Sequence, residues 1–345
     1  MTALADALTV LVDERRDLSE AEAAAALDDI MSGDATPAQT AALLTALRLK
    51  GETVDEIVGL ARTMRAKSLH VETGLDRLAD TCGTGGSGKQ TFNVSTAVAF
   101  VVAGCGVPVA KHGNRAMTSK SGSADVLEAL GANIDLGPDQ VAQVIGEVGV
   151  GFMFAQAFHP AMKYVAPIRR ELGFRTVFNL LGPLTNPAGA QHQVLGVATP
   201  EIAEKLAQAL GRLGSSHALV VHGQEGLDEV SPEGPTSVWE LKDGAVERYE
   251  IHPNDFHIRP VPLADVAGSD AAANAAAMRE VLGGKSGPLT GFVTLNAAAA
   301  LYAADEAPTL TEGVSRAAEC IDDQRALRKL ERFVELTQKL GETSA

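Results

Sequence analysis

A glycine-rich loop, Cys82-Gly83-Thr84-Gly85-Gly86-Ser87-Gly88-Lys89-Gln90-Thr91, lies in the first third of the chain. It follows a predicted strand that ends near Asp80 and precedes a predicted helix over Val94–Gly104. A strand, a tight glycine turn and a helix in this order are the building unit of sheets that are covered by helices. The loop therefore predicts an α/β fold with a parallel or mixed central sheet.

This loop matches two nucleotide-binding patterns only in part. The G-x-G-x-x-G pattern is present, but no acidic residue follows before Asp125, whereas the ribose of a dinucleotide needs one about 20 positions on. The Walker A pattern is nearly complete, but Gln90 stands where a hydroxyl must meet Mg²⁺. The glycines can still turn several backbone amides towards one anion, next to a helix N-terminus at Asn93. A phosphate site and a plain strand-to-helix turn with an asparagine cap both remain open.

Upstream of the loop, the sequence predicts helices only. Ser19, Thr36 and Thr53 each stand three residues before Glu or Gln, which is the capping-box pattern of a helix start. Gly33 and Gly51 follow the apolar runs as helix ends do. These alanine-rich helices predict a small helical domain with a face to bury against a second subunit.

Downstream, short β-rich runs alternate with helical runs. The predicted strands are Val107–Ala110, Gly151–Phe154, Gln193–Val197 and Ala218–His222. The predicted hairpin pairs Ser237–Leu241 with Ala245–Tyr249 through a turn at Asp243-Gly244. The predicted helices are Asp139–Val148, Pro200–Leu213, Ala271–Leu282, Leu295–Ala304 and Ser315–Leu340. The predicted division is a helical domain over 1–72 and an α/β domain over 73–345, since 345 residues suit about two domains.

The charge pattern predicts an anion pocket in an acidic protein. The chain has 29 Lys and Arg against 44 Asp and Glu, a net charge of −15, which argues against a general binder of nucleic acid or anionic membranes. Residues 81–124 nevertheless contain no acid, and Glu171 is the single acid of residues 149–200. Both regions carry basic side chains, and the first also contains the glycine loop, so together they predict a focused pocket for an anion.

The remaining composition predicts a cytoplasmic globular protein. Apolar residues make up 46% of the chain, enough for a large core. The three cysteines, Cys82, Cys105 and Cys320, have no short spacing, so neither a disulfide framework nor a cysteine zinc site is expected. No apolar stretch is long and uninterrupted enough to span a membrane, and the N-terminus does not read as a secretory signal.

Several further segments carry a resemblance to a known family. They are Lys111-His112-Gly113-Asn114-Arg115, Ser119-Lys120-Ser121-Gly122-Ser123-Ala124-Asp125, His159-Pro160-Ala161, Arg175–Pro187 and Leu227-Asp228-Glu229-Val230-Ser231. Together with the glycine loop and Asn93-Val94-Ser95-Thr96, they occur in order over nearly the whole chain. This arrangement resembles the anthranilate phosphoribosyltransferase family, whose members join anthranilate to 5-phosphoribosyl 1-diphosphate and release diphosphate with Mg²⁺.

The resemblance implies a fold and a set of roles. The fold is a helical domain, rejoined by helices of about 158–190, plus a larger α/β domain with a mixed sheet of the nucleoside phosphorylase and phosphoribosyltransferase kind; members are usually homodimers through the helical domain. The residues implied to bind phosphoribosyl diphosphate are Gly83, Gly86, Ser87, Thr91, Asn93, Val94, Ser95, Thr96, Lys111, Ser119 and Ser123. Those implied to bind anthranilate are Gly83, Asn114 and Arg169, and those implied to hold Mg²⁺ are Ser95, Asp228 and Glu229. No proton-transferring residue is implied, because the reaction needs positioning and charge stabilisation.

Other interpretations stay open at this point. Ser87 stands where the family usually has Asp, which removes one carboxylate beside the sugar diphosphate. His112 fits a structural loop histidine as well as a ligand-binding one, and Arg170 fits an exposed helix residue. The rival functions are a pyrimidine nucleoside phosphorylase and a non-catalytic, nucleic-acid-binding relative of the same fold. The first lacks the Lys-His-Gly-Asn-Arg segment, and the second needs a basic surface.

Overall fold

A computed structural model of the protein describes residues 2–116 and 120–342. The N-terminal part consists of α1 (Ala3–Thr9), which continues as a π-helical turn over Val10–Glu14, α2 (Glu20–Ser32), α3 (Pro37–Lys50) and α4 (Val54–Ala66). All three predicted capping boxes form, so local sequence sets the starts of α2, α3 and α4.

A seven-stranded mixed sheet forms the centre of the rest of the chain. Its strands are β1 (Ala79–Gly83), β2 (Val109–Gly113), β3 (Val150–Phe154), β4 (His192–Gly196), β5 (His217–Gly223), β6 (Thr236–Lys242) and β7 (Ala245–Ile251). Their order is β3-β2-β1-β4-β5-β6-β7. The first five run parallel, and β6 and β7 add antiparallel to β5. The parallel strands therefore bring their carboxyl ends to one edge, where sites of such sheets gather.

Eleven helices in the described ranges accompany the sheet. They are α5 (Val94–Gly104), α6 (Ser123–Ala129), α7 (Pro138–Val148), α8 (Ala155–Phe158), α9 (Ala166–Leu172), α10 (Phe178–Leu181), α11 (Ala203–Arg212), α12 (Ala271–Leu282), α13 (Pro288–Ala303), α14 (Leu310–Asp322) and α15 (Arg325–Glu342). Short 3₁₀ turns lie at Pro160–Tyr164, Gly182–Leu184, Pro200–Ile202, Pro253–Phe256 and Leu263–Val266. Within the described ranges, no helix combines the length and the apolar character that a membrane crossing requires.

Two apolar cores lie on the two faces of the sheet. Leu219 and Val221 of β5 point into the core that α5, α7 and α13 cover, whereas Ala218 and Val220 point into the other. This alternation is the two-residue period of a strand. The second core is continuous with the helical bundle of α1–α4, because α11 contacts both α4 and the sheet.

The segment from 158 to 190 packs against the helical bundle. Helix α9 contacts α3, and α10 contacts α4. Val165, Val177, Leu181 and Leu184 are buried in the same core as the bundle. The chain thus leaves the sheet after β3 and returns to it at β4 by way of the helical bundle, an excursion that sequence spacing alone does not show.

Local boundaries differ from prediction at several points. The helix predicted over Ser315–Leu340 is wrong as one element, because Gln324 adopts a φ of 58° and separates α14 from α15. Helix α13 begins at Pro288, seven residues before the predicted Leu295, since a proline fits a first helical turn. The hairpin is confirmed, with Asp243 and Gly244 both at positive φ in its turn.

Candidate active site

The glycine loop presents unpaired backbone amides. It follows the last residue of β1, and the Thr84 amide donates to the Gly196 carbonyl oxygen at 2.9 Å. Among the described residues, the amides of residues 85–88 have no hydrogen-bond partner. Amides that are left free in a concave turn are the usual donors to phosphate oxygens. This favours the phosphate interpretation of the loop over a plain turn.

The acidic pair lies against the end of β1. A Cβ atom added to Gly83 would stand 3.0 Å from Oδ2 of Asp228. A Cβ atom on Gly196 would stand 1.7 Å from the Asp228 carbonyl oxygen, so only glycine at the end of β4 allows this approach. Asp228 therefore shares the sheet edge with the start of the glycine loop.

Two buried side chains fix the loop that carries this pair. Leu227 and Val230 flank the two acids and are buried. Asn296 of α13 accepts the Val230 amide at 2.9 Å and donates to the Val230 carbonyl oxygen at 3.0 Å. The backbone of the acidic pair is thus held by the α/β core.

Asp228 and Glu229 suit a magnesium ion. Burial, and next the charge of Asp228, raise the pKa of Glu229 well above its usual range, and only Lys111 opposes this. Within the described residues no N–H or O–H donates to either carboxylate. Nor do these residues contain three His, Cys, Asp or Glu side chains arranged to hold a metal. Mg²⁺ needs only one or two protein carboxylates beside water and phosphate oxygens, so the two acids fit it.

Lys111 connects the sheet edge to helix α5. This residue of β2 is buried, and its Nζ donates to the Thr81 carbonyl oxygen at 2.6 Å and to Ser95 Oγ at 3.3 Å. Burial lowers the pKa of Lys111, while the charges of Asp80, Cys82 and Glu229, in that order, raise it. The structure therefore brings Lys111 against Ser95 and within electrostatic reach of Glu229.

Asn93 occupies the N-cap position of α5 but does not cap the helix. Its Nδ2 donates to the Ser121 carbonyl oxygen at 3.1 Å, and its Oδ1 accepts from Asn274 at 2.8 Å. The asparagine-cap alternative is therefore wrong. The side chains of Val94 and Thr96 are buried, so any contact of Val94 with a ligand goes through its backbone.

The other residues with an expected phosphate role are more dispersed. Ser87 Oγ accepts the Lys89 amide at 3.3 Å, which tightens the glycine loop. Thr91 forms an isolated bridge with Ala267. Ser123 Oγ lies 3.3 Å from the Asn114 carbonyl oxygen. Ser119 lies outside the described residues.

The two side chains expected to hold anthranilate differ in their surroundings. Asn114 is exposed, and its Oδ1 accepts the Arg115 amide at 2.8 Å. Arg169 donates to Asn179 Oδ1 at 3.4 Å, and its guanidinium lies 5.5 Å from the centre of the Phe178 ring. Among the described residues no carboxylate lies within 4.0 Å of Arg169, so its charge is available to an anionic ligand.

One cation of the acid-poor region is neutralised by acids from outside it. Arg115 forms ion pairs with Asp125 at 3.3 Å and with Glu128 of α6. These contacts hold the start of α6 against the loop after β2. Counting acids along the sequence therefore overestimates the free positive charge, because pairing partners come from later in the chain.

The sequence alone leaves the role of His112 open and indicates none for His159. Both are buried, and their Nε2 atoms lie 3.2 Å apart, so one ring donates to the other in a neutral pair. Burial lowers the pKa of His112 to about 3 and that of His159 to about 4. The two residues are 47 positions apart, and neither spacing nor periodicity indicates the contact.

The histidine pair predicts acid-sensitive stability. In the unfolded chain each of these histidines takes up a proton near pH 6.5, whereas in the folded protein they do so only near pH 3 to 4. The free energy of unfolding therefore falls as the pH falls from about 6.5 towards these lower values. Each histidine is expected to account for about 2 kcal/mol of that loss by pH 5. Urea denaturation at pH 7 and pH 5 measures it.

The double variant His112→Gln/His159→Gln should lose less stability between the two pH values than the wild type does. His70→Gln, at an exposed position, is the control. An unchanged pH dependence in the double variant would contradict the assignment.

Comparison with known proteins identifies the family of the chain. Residues 5–68 match a glycosyl transferase family, helical bundle domain, and residues 75–327 match a glycosyl transferase family, a/b domain. The chain is 54% identical over 339 residues to anthranilate phosphoribosyltransferase of Symbiobacterium thermophilum, covering 98% of this chain and 99% of that protein.

Solved structures match over nearly the same share of the chain. The enzyme of the same name from Thermus thermophilus superposes with a TM-score of 0.92 at 45% identity, covering 98% of this chain and 100% of that one. The Saccharomyces cerevisiae enzyme, in complex with phosphoribosyl diphosphate and Mg, superposes with a TM-score of 0.90 at 31% identity, covering 97% and 98% of the two chains. With its helical part and its α/β part both matched, and with a relative 54% identical that covers 98% of it, the chain belongs to the anthranilate phosphoribosyltransferase family.

Proposed function

We propose that the protein transfers the phosphoribosyl group of 5-phosphoribosyl 1-diphosphate to the amine of anthranilate, a step of tryptophan biosynthesis. The products are N-(5-phosphoribosyl)anthranilate and diphosphate. The observation that carries this proposal is the meeting of free loop amides, Lys111, Ser95 and the acidic pair at one sheet edge, in a chain of this family.

The sugar diphosphate would bind along the glycine loop and the start of α5. Free amides of residues 85–88 and the Nζ of Lys111 are donors that suit phosphate oxygens. The remaining contacts would come from the other residues expected to bind phosphoribosyl diphosphate, namely Gly83, Thr91, Asn93, Val94, Ser95, Thr96, Ser119 and Ser123. The phosphates would thereby be fixed before the amine arrives, which supplies the positioning that this reaction needs.

Anthranilate would bind between Asn114 and Arg169, with Gly83 lining the pocket. A guanidinium without an ion pair can hold a carboxylate through two parallel hydrogen bonds. The aryl amine is neutral at pH 7 and needs no strong base. It attacks C1 of the ribose, where positive charge builds up as the bond to diphosphate breaks, and Arg169 keeps the ring in line for this attack.

Asp228, Glu229 and Ser95 would hold Mg²⁺. They offer oxygen ligands, and the two carboxylates lack hydrogen-bond donors among the described residues. The chemistry that Mg²⁺ supplies when bound is neutralisation of charge on the departing diphosphate. Ser87 stands where the family usually has Asp, but the chain retains Ser95, Asp228 and Glu229 as oxygen ligands.

The reaction itself is the first test. The purified protein should consume anthranilate, followed by its fluorescence, only when phosphoribosyl diphosphate and a divalent metal are both added. Omission of either is the control. Phosphorolysis of thymidine or uridine without anthranilate turnover would replace this proposal by the nucleoside phosphorylase alternative.

Arg169→Ala tests the anthranilate subsite. Loss of a charge-assisted contact of about 1.5–3 kcal/mol is expected to raise the KM for anthranilate roughly 10- to 150-fold. The KM for phosphoribosyl diphosphate should change little, because only the carboxylate partner is removed. Steady-state kinetics with each substrate varied in turn measures both, and unchanged anthranilate kinetics would remove Arg169 from the site.

We further propose a cytoplasmic homodimer with the domain division predicted above. Leu49 is 82% exposed at the end of α3, and Val12 is 58% exposed in the π-helical turn that contacts α3. Such exposed side chains support a subunit interface on the helical domain. The net charge of −15 supports a protein without nucleic-acid or membrane partners. The packing of residues 158–190 on α3 and α4 supports their inclusion in the helical domain.

A further inference from the structure

Arg175 reaches from the segment 158–190, which packs on the helical bundle, onto the glycine loop. It lies between α9 and α10, and its Nη2 lies 3.2 Å from the Thr84 carbonyl oxygen, 91 positions away in the chain. A Cβ atom added to Gly86 would stand only 1.4 Å from Nη1 of Arg175. The guanidinium therefore rests directly on the backbone of Gly86.

The charge of Arg175 is not neutralised where it lies. Among the described residues, no carboxylate stands within 4.0 Å of Arg48, Arg169 or Arg175. Burial lowers the pKa of Arg175, the charge of Asp228 raises it, and that of Arg48 lowers it again. Among the described residues, its guanidinium donates a hydrogen bond only to the neutral Thr84 carbonyl oxygen. A planar, charged fork so placed is suited to a phosphate group.

We propose that Arg175 binds the diphosphate of the sugar substrate and thereby links the segment 158–190 to the glycine loop. This inference rests on the proposed function and adds a residue to its site. The guanidinium exchanges its contact with the Thr84 carbonyl oxygen for phosphate oxygens that the amides of residues 85–88 also bind.

The position favours the diphosphate over the anthranilate carboxylate. Arg175 touches Gly86 and Thr84, which belong to the glycine loop. Arg169 contacts Asn179 and lies over Phe178 on the helical side. Burial lowers the pKa of Arg169, and the nearby charge of Arg175 lowers it further, because the two guanidinium groups repel each other. If the anthranilate carboxylate binds Arg169 and the diphosphate binds Arg175, each guanidinium charge has its own anionic partner.

Calorimetric titration with inorganic diphosphate and Mg²⁺ at fixed ionic strength tests the proposal directly. Arg175→Ala is expected to bind diphosphate about tenfold or more weakly than the wild type. Arg175→Lys should fall between the two, because lysine keeps the charge and loses the fork. Arg170→Ala, which removes an exposed arginine three positions after Pro167 in α9, is the matched control and should bind as the wild type does.

Kinetics separate this role from others. In Arg175→Ala the KM for phosphoribosyl diphosphate should rise while that for anthranilate stays the same and the melting temperature is retained. Unchanged diphosphate affinity, a rise confined to the anthranilate KM, or an equal loss in Arg170→Ala would overturn the proposal. Arginine-dependent diphosphate binding in a protein that does not consume anthranilate would uphold it and refute the proposed reaction instead.

Gly86→Ala supplies an independent check of the contact. Its Cβ atom would displace the guanidinium, and the residue also has a φ of 83°, where alanine is strained. If the displacement matters, Gly86→Ala should weaken diphosphate binding less in the Arg175→Ala background than in the wild type. Equal losses in both backgrounds would count against the contact.

Discussion

The double variant Asp228→Asn/Glu229→Gln is expected to lose about 100- to 1,000-fold in kcat, because it removes the carboxylates proposed to hold Mg²⁺ against the leaving diphosphate. The fold should persist, since both amides fit the same loop and burial already disfavours charge on Glu229. The dependence of the rate on Mg²⁺ should flatten, and anthranilate binding should survive. Calorimetry of diphosphate with and without Mg²⁺ gives a readout that does not depend on turnover.

Asp243→Asn/Glu247→Gln is the matched control for this variant. It removes the same two negative charges at exposed positions of the β6–β7 hairpin. It should leave kcat and the Mg²⁺ titration unchanged. Full activity and an unaltered Mg²⁺ titration in the Asp228/Glu229 variant would refute the assignment of the metal site.

Lys111→Met is expected to cut kcat/KM by about 30- to 3,000-fold, the effect of deleting one partner of a buried charge contact to phosphate. Its free energy of unfolding should also fall, because the substitution removes the charge that faces buried Asp80 and the donor to the Thr81 carbonyl oxygen. Steady-state kinetics and urea denaturation at pH 7 measure the two effects.

Lys339→Met, at an exposed position of α15, is the control for Lys111→Met and should change neither quantity. A Lys111 variant that loses activity only because it unfolds would show the lysine to be structural. One that keeps its activity would exclude it from the phosphate site.

Features that depend on neighbouring residues could be predicted from the sequence. The capping boxes at Ser19, Thr36 and Thr53 and the turn at Asp243-Gly244 form as predicted, because a few adjacent residues decide them. The break at Gln324 escaped prediction, because a non-glycine residue at positive φ gives no compositional signal.

Contacts between distant positions escaped prediction for another reason. His112 meets His159 because β3, which ends shortly before His159, pairs with β2, and Arg175 reaches the glycine loop from the segment between β3 and β4. Arg115 likewise finds its acids in α6. The roles of the expected site residues were predicted from the family resemblance. The residues that shift their pKa values or pair with their charges come from distant parts of the chain and could not be predicted from the sequence.

Asn296 hydrogen-bonds both the amide and the carbonyl oxygen of Val230. The proposed site therefore has two walls that differ in order: an acidic wall with Asp228 and Glu229, and a glycine wall formed by residues 85–88. The acidic wall has its backbone ordered as soon as α13 packs on the sheet, so its conformational entropy is lost during folding. The amides of residues 85–88 in the glycine wall have no such hydrogen bonds within the described residues, so we expect this wall to lose conformational entropy when an anion binds. The acidic wall, which we propose to hold the metal, is therefore ordered before any ligand binds, and we expect the entropic cost of substrate binding to fall on the glycine wall.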